Sequence, residues 1–220
     1  MYLSRLVPNP LSRDVQQDLA DCQKLHQTIM AAFPQTKSSP RQTFGVLYRL
    51  ETSQRPHILV QSRVVPDWGQ LPPGYCLEDP MVKSLQSQYE RLRDGMVLRF
   101  RLTANPTKKI DTKTGPDGKR KNGRRVVLRK EDEQIAWLVR KGETGGFELL
   151  SLATRPEIAN VAVLPMAGSR RGIHSQGRLT FGGVVFEGQL RITDAQCFRD
   201  ALASGIGSGK SYGFGLLSIA

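Results

Sequence analysis

The order in which strand and helix signals follow one another constrains this chain more than any single motif does. Tyr2–Val7 reads as a strand, and Ser12-Arg-Asp-Val opens a helix, capped by Ser12, that runs to about Phe33 before Pro34. Thr43–Glu51 and His57–Val65 read as two strands joined by a polar turn, Tyr75–Glu78 as a short strand and Val82–Arg93 as a helix. The succession then starts again. Met96–Ala104 is a strand, because apolar and polar or basic residues alternate from Val97 and put Arg99 and Arg101 on one face. Arg125–Leu128 is extended, Glu131–Lys141 carries the helical apolar set Ile135, Trp137 and Leu138, and Phe147–Leu152 and Val161–Leu164 are strands. Arg178–Ile192 gives one long strand or a pair bulged at Gly182-Gly183, Asp194 caps a helix to about Ala203, and Phe214–Ile219 is a final strand. Strand, helix, strands, helix, strand, taken twice, predicts an α+β chain of two tandem ferredoxin-like (RRM-like) βαββαβ domains, 1–93 and 94–220.

Sheets of that kind bind RNA in many modules, and the charge agrees. Lys and Arg number 32 against 20 Asp and Glu, a net charge of +12, which calls for a polyanionic partner; nucleic acid leads and an anionic membrane trails. No run of 18 apolar residues is present and the first residues lack the apolar run of a signal peptide, so the expectation is a cytoplasmic protein with no membrane partner. Cys22, Cys76 and Cys197 are widely spaced, with only His26, His57 and His174 to help them, so neither a zinc site nor a disulfide framework is expected, and no metal or cofactor is predicted.

The excess charge is concentrated. Between Arg99 and Lys130 stand twelve basic residues and two acidic ones, Asp111 and Asp117. Asn-Pro, Gly-Pro, Asp-Gly and Asn-Gly pairs within Asn105–Gly123 mark a long loop or extended hairpin, delivered to one place by the strand before it. A second basic cluster, Arg170-Arg171, sits among Gly168, Gly172 and Gly177 and reads as the basic tip of a hairpin closed by Arg178. Arg99, Arg101, Lys108, Lys109, Arg120, Lys121, Arg124, Arg125, Arg170, Arg171 and Arg178 are thus candidate phosphate contacts.

Gly205-Ile-Gly-Ser-Gly-Lys-Ser-Tyr-Gly-Phe-Gly-Leu-Leu-Ser218 imitates a nucleotide-binding loop and fails its requirements. Gly209-Lys210-Ser211 fits the end of the P-loop pattern, but its first glycine position is Ser204, and the residues after Ser211 read as strand where a phosphate-holding helix is needed. Five glycines, 205, 207, 209, 213 and 215, with Lys210 among them let a backbone approach a phosphate closely, or simply make a flexible turn. His26 falls on the apolar stripe of the first helix, whose spacing runs through Val15, Leu19, Cys22, Ile29 and Phe33. Such a histidine is ordinarily a hydrogen-bonded core residue; the other reading is a near-neutral base facing a cleft, able to move the proton of an RNA 2′-hydroxyl.

Six stretches carry a resemblance: Met1-Tyr-Leu-Ser-Arg-Leu6, Leu25-His-Gln27, Phe100-Arg-Leu-Thr-Ala-Asn-Pro106, Glu133-Gln-Ile-Ala-Trp-Leu138, Val185-Phe-Glu-Gly188 and, most specific, the glycine-rich ending. Across its length the chain resembles the CasE family of CRISPR precursor-RNA endoribonucleases, the repeat-cleaving subunits of type I-E Cascade complexes. The resemblance implies two ferredoxin-like domains, binding of the CRISPR repeat hairpin, and metal-independent cleavage at the 3′ base of its stem. The 2′-hydroxyl would attack, leaving a 2′,3′-cyclic phosphate and a 5′-hydroxyl. It also implies retention of the mature crRNA among other Cascade subunits.

The family's catalytic histidine carries over to His26. A tyrosine often found one turn before it is Gln23 here, and a lysine sometimes found after it is Ala31, so help for the transition state must come from elsewhere, with Lys210 a candidate by charge. The glycine loop then becomes a backbone cradle for RNA, the Arg170–Arg178 hairpin resembles the element that enters the groove of the repeat stem, and the 105–125 loop is a second clamp. The alternative from another class is a non-catalytic structured-RNA-binding subunit. A general basic ribosome-associated or DNA-binding protein would show no preference for one RNA hairpin over duplex DNA.

Overall fold

The computed structural model describes residues 1–36, 39–52, 55–110, 124–152, 155–159, 161–165, 170–174, 177–181 and 183–220. The first half contains β1 (Tyr2–Leu6), α1 (Arg13–Ala20), α2 (Cys22–Ala31), α3 (Pro40–Thr43), β2 (Leu47–Glu51), β3 (His57–Ser62), β4 (Met81–Ser84) and α4 (Gln86–Glu90). Its four strands form an antiparallel sheet in the order β2-β3-β1-β4, with Arg5 opposite Leu59, Tyr48 opposite Val60 and Ser4 opposite Val82. Leu6, Leu25, Ile29, Phe33, Val46, Tyr48, Ile58 and Val60 make its core.

The second half contains β5 (Val97–Ala104), β6 (Thr107–Ile110), β7 (Arg124–Val127), α5 (Glu131–Gly145), β8 (Phe147–Leu149), β9 (Ser151–Leu152), β10 (Arg155–Ala159), β11 (Val161–Pro165), β12 (Arg170–His174), β13 (Gly177–Phe181), β14 (Val184–Ile192), α6 (Ala195–Ser204) and β15 (Leu217–Ile219). Its main sheet runs β11-β14-β5-β15. Along one edge of β14 two short strands follow each other, β11 beside Val184–Gly188 and β8 beside Leu190–Ile192. Counted as one split strand, β8 and β11 give the second sheet the same order as the first, and both halves are ferredoxin-like. The interruption between them accommodates the β9–β10 ribbon, and the β12–β13 ribbon is inserted between β11 and β14. Phe100, Leu102, Trp137, Leu138, Phe147, Phe186, Leu190, Phe198 and Leu202 fill this core. Truncating a fully buried phenylalanine such as Phe186 to alanine costs about 3–5 kcal/mol.

Four expectations need correction. The helix predicted from Ser12 to Phe33 is two helices: Asp21, at φ −134° and ψ 108°, leaves helical geometry and its carboxylate accepts the N–H of Gln23 at 2.8 Å, restarting the chain as α2. Ser12 stands before α1, but its hydroxyl makes no capping bond. The segment read as a helix from Val82 begins as β4, an outer strand on β1 whose four side chains are all exposed, and the helix is confined to Gln86–Glu90. Tyr75–Glu78 is not a strand and contributes one bridge, Pro8 to Cys76.

A buried polar seam joins the halves. The Arg49 side chain, 2% exposed, donates from Nε to Glu51 Oε1 at 2.7 Å, from Nη1 to the carbonyls of Arg101 (3.1 Å) and Leu216 (3.0 Å), and from Nη2 to Ser218 Oγ at 3.0 Å. Glu51 Oε2 meets Arg101 Nη2 at 3.2 Å, and Arg101 Nη1 meets Glu187 at 2.8 Å. Beside it Gln61 donates to the Leu202 carbonyl at 2.7 Å and accepts from Tyr89 at 2.9 Å. Satisfied on every side, these groups fix how the second half sits against β2.

Candidate functional site

Because α2 restarts at Asp21, the apolar spacing read through Leu19 breaks there: Leu19 is 46% exposed, whereas Cys22, Leu25 and Ile29 are buried. His26 sits half-buried at the edge of that buried face. Its ring stacks on Tyr48 with centroids 6.4 Å apart and planes 18° apart, and its Nδ1 is buried without a hydrogen-bond partner. It is therefore not the hydrogen-bonded core histidine of the ordinary reading. Burial, and then the nearby Arg41 guanidinium, hold its pKa down at about 4. The imidazole is neutral at pH 7.

Tyr48 connects this histidine to the glycine segment, since its hydroxyl donates to the Ser211 carbonyl at 2.9 Å. The segment is a folded loop and not a flexible turn. All five glycines predicted to matter, Gly205, Gly207, Gly209, Gly213 and Gly215, have φ between +77° and +90°. At Gly205 a Cβ would also lie 2.7 Å from Leu47 Cδ2, and at Gly215 2.8 Å from the Ile206 carbonyl. The loop closes on itself where Ile206 donates to the Gly215 carbonyl at 2.9 Å, and is tied to β5 where Gly215 donates to the Thr103 carbonyl at 2.8 Å. Lys210–Tyr212 forms a 3₁₀ turn packed against α2 and β2.

Two clefts flank the loop. One, of about 350 Å³, is lined by Arg41 and Gly207–Tyr212; the other, of about 500 Å³, by residues including Thr107, Arg125, Trp137, Lys141, Asp200 and Ser208. Lys210 lines both, and burial followed by the charges of Arg41 and Lys141 lowers its pKa. Arg41 and Lys141 were not legible as site residues, because Arg41 stands alone in a polar stretch and Lys141 falls at the end of a helix signal.

The other basic candidates divide. Arg99 is exposed on β5, while Arg101 is taken into the seam by Glu51 and Glu187. Lys108 and Lys109 are exposed on β6, Lys108 pairing with Glu133 at 2.8 Å. Strand β6 pairs with β7 as a hairpin carrying Arg124 and exposed Arg125, whereas Arg120 and Lys121 lie outside the described residues. In the other ribbon Arg170 is opposite Phe181 and Arg171 opposite Thr180, so both stand near the open end of the hairpin and not at its tip; Arg178, opposite Ile173, is nearer the turn. Strand β12 lies against α2, which brings this ribbon to the helix that bears His26. Phe181 stacks on Tyr212 with centroids 4.7 Å apart, tying the ribbon to the glycine loop.

Among the described residues, no three His, Cys, Asp or Glu side chains cluster so as to hold a metal ion, and no helix is long and apolar enough to cross a membrane.

The sequence matches the family described as CRISPR associated protein over residues 1–220. It is 35% identical over 225 residues to the CRISPR-associated endoribonuclease Cse3 of Thermus thermophilus, with 100% of both chains covered. It is 34% identical over 223 residues to the CRISPR system Cascade subunit CasE of Escherichia coli, covering 100% of this chain and 99% of that one. A structure of CRISPR endoribonuclease Cse3 bound to 19 nt RNA matches the whole of this fold at a TM-score of 0.80 and 33% identity. With the doubled ferredoxin-like fold, the folded glycine loop and the half-buried histidine beside it, this full-length agreement makes the chain a member of the CRISPR-associated protein family, alongside Cse3 and CasE.

Proposed function

We propose that this chain binds the hairpin of a CRISPR repeat in precursor RNA and cuts it at the 3′ base of the stem, with His26 as the base. The observation that carries the reading is the neutral, half-buried His26 imidazole set beside a glycine loop and a cleft lined by cations. In the cut the 2′-oxygen bonds to the adjacent phosphorus, its proton passes to His26, and the bond from phosphorus to the 5′-oxygen breaks. The leaving oxygen takes up a proton, giving a 2′,3′-cyclic phosphate and a 5′-hydroxyl. A positioned base contributes about 10²–10⁴-fold to such a step. Water is neither added nor activated in it, so no metal is needed to make a nucleophile.

The fold supplies the rest. The β12–β13 ribbon lies against the helix of His26, and the β6–β7 hairpin lends Thr107 and Arg125 to the larger cleft beside the loop, so basic residues would approach the RNA backbone from two elements. We read residues 1–93 as the unit that carries the base and 94–220 as the unit that carries the clamps, with the product held in a Cascade assembly in the cytoplasm. A holding subunit that does not cut is the second reading, favoured by Gln23 and Ala31.

The experiment is incubation of the purified chain with a repeat hairpin in EDTA, beside His26→Ala and beside an RNA whose scissile 2′-hydroxyl is replaced by hydrogen. A single cut that either change abolishes while binding persists is the expected result. Tight binding with no cut by the unaltered chain would give the holding subunit the stronger claim.

A further inference from the structure

The last turn of α2 carries no cation, and Ala31 stands where related enzymes sometimes have a lysine. Charge reaches the cleft from the next element instead. We propose that Arg41, together with Lys210, grips the scissile phosphate and neutralises the charge that builds on its non-bridging oxygens during the cut, which makes Arg41 a catalytic residue. The proposal rests on the reading of His26 as the base of a 2′-hydroxyl attack.

Four observations support it. Arg41 belongs to α3, whose end is fastened to the start of β2: Val46 donates to the Arg41 carbonyl at 2.9 Å. Its position is thereby fixed to the strand that holds Tyr48, on which His26 stacks. Second, Arg41 lines the 350 Å³ cleft together with Gly207, Ser208, Gly209, Lys210, Ser211 and Tyr212. Third, no ion pair neutralises Arg41 or Lys210 among the described residues, although Arg49, Arg101, Lys108 and Arg191 each have a carboxylate partner. Fourth, Arg41 is close enough to both His26 and Lys210 to lower the pKa of each.

Two half-buried cations facing each other across an open cleft repel, and an anion between them relieves the repulsion. The relief grows during the reaction. A phosphodiester carries one negative charge and the pentavalent species formed by alkoxide attack carries two, so the same cations hold the transition state more tightly than the substrate. The guanidinium offers a planar fork to two phosphate oxygens, and Lys210 adds a point charge from the loop.

The test pairs Arg41→Gln and Arg41→Lys with the unaltered chain in two measurements. The first is single-turnover cleavage of the repeat hairpin alongside binding of its 2′-deoxy form. The second is affinity for a product-like hairpin ending in a 3′-phosphate against the same hairpin ending in a 3′-hydroxyl, which needs no cleavage. Thermal melts confirm that each variant folds. Arg41→Gln is expected to slow the cut about 10²–10³-fold while binding of the deoxy hairpin weakens less than about tenfold, and to lose the unaltered chain's preference for the 3′-phosphate. Arg41→Lys recovers part of both.

If the unaltered chain cuts and Arg41→Gln keeps its rate and its phosphate preference, the role of Arg41 is overturned and the endoribonuclease reading stands. If the unaltered chain does not cut but Arg41→Gln abolishes a phosphate preference, the phosphate site stands without catalysis and the endoribonuclease reading fails. Absence of both cutting and preference overturns both.

Discussion

Successive residues of β2 face opposite ways, and the two sides treat buried charge differently. On one side Arg49 is enclosed with Glu51, backbone carbonyls and the Arg101–Glu187 pair, a network in which each cation has a carboxylate. On the other, Tyr48 faces His26 and the glycine loop, where Arg41 and Lys210 line a cleft with no carboxylate paired to either among the described residues. The first arrangement is complete without a ligand and holds the two sheets in one orientation. The second is electrostatically incomplete, and what completes it is an anion. Desolvated charge thus marks a structural joint where it is paired and a binding site where it is not.

The comparison breaks first at Arg49. Arg49→Ala leaves Glu51 buried without its main partner and should cost about 3–5 kcal/mol in chemical denaturation, whereas Arg49→Met combined with Glu51→Leu should recover most of that loss. Equal losses in the single and double variants would mean that the seam acts through shape and not through charge.

Smaller effects are expected in the loop. Gly205→Ala must hold φ +78° with ψ 160°, a combination essentially confined to glycine, at about 1–3 kcal/mol, and displace Leu47, at about 1–3 kcal/mol more. Gly74→Ala, at φ +71° with open space around it, should show the cost of its positive φ and displace nothing. Similar melting temperatures for these two variants would show that the loop yields to a methyl group.

Acid sharpens the other side of the strand. With its folded-state pKa at about 4, below the ordinary 6.5, His26 is neutral in the folded chain over a range where the unfolded chain already binds the proton. Its contribution to stability is full above pH 6.5 and is lost as pH falls toward 4. Denaturation midpoints should therefore drop over that window, and drop less in His26→Gln. The same value predicts kcat/KM flat from pH 8 to about 5, with the acid limb near pH 4; a limb near 6.5 would mean that the ring is solvated in the free protein.

The mildest expectation concerns the ribbon on α2. Arg170→Ala with Arg171→Ala should weaken hairpin binding and flatten its salt dependence by roughly one unit per lost phosphate contact. An unchanged slope would remove that ribbon from the interface.

Much of this fold is written in local patterns. The alternation from Val97 to Ala104 gives β5, and Ile135, Trp137 and Leu138 mark α5, whose first turn places Glu131, Asp132 and Glu133 against the positive end of the helix. What failed depends on partners distant in sequence. Val82 reads as the start of a helix, yet it is 40% exposed on a strand held by main-chain pairing to β1. Asp21 gives no sign in a spacing count that it starts a new helix. At the site His26 and the glycines were legible, the latter because five positive-φ positions need that residue type. Arg41 lies in a polar stretch with nothing to single it out. Arg49 did leave a trace, a charge inside the run Val46-Leu-Tyr-Arg-Leu50, where only a buried partner makes it tolerable.

The ties that hold the glycine loop and the final strand to β2 span most of the polypeptide. Tyr48 reaches Ser211 across 163 positions, and Arg49 reaches Leu216 and Ser218 across 167 and 169. Closing loops of that length is slow, and each half can regain its helices and hairpins before the two meet. On dilution from denaturant, recovery of helical circular dichroism should therefore run ahead of recovery of RNA cleavage, and the interval between them times the docking of the glycine loop onto β2.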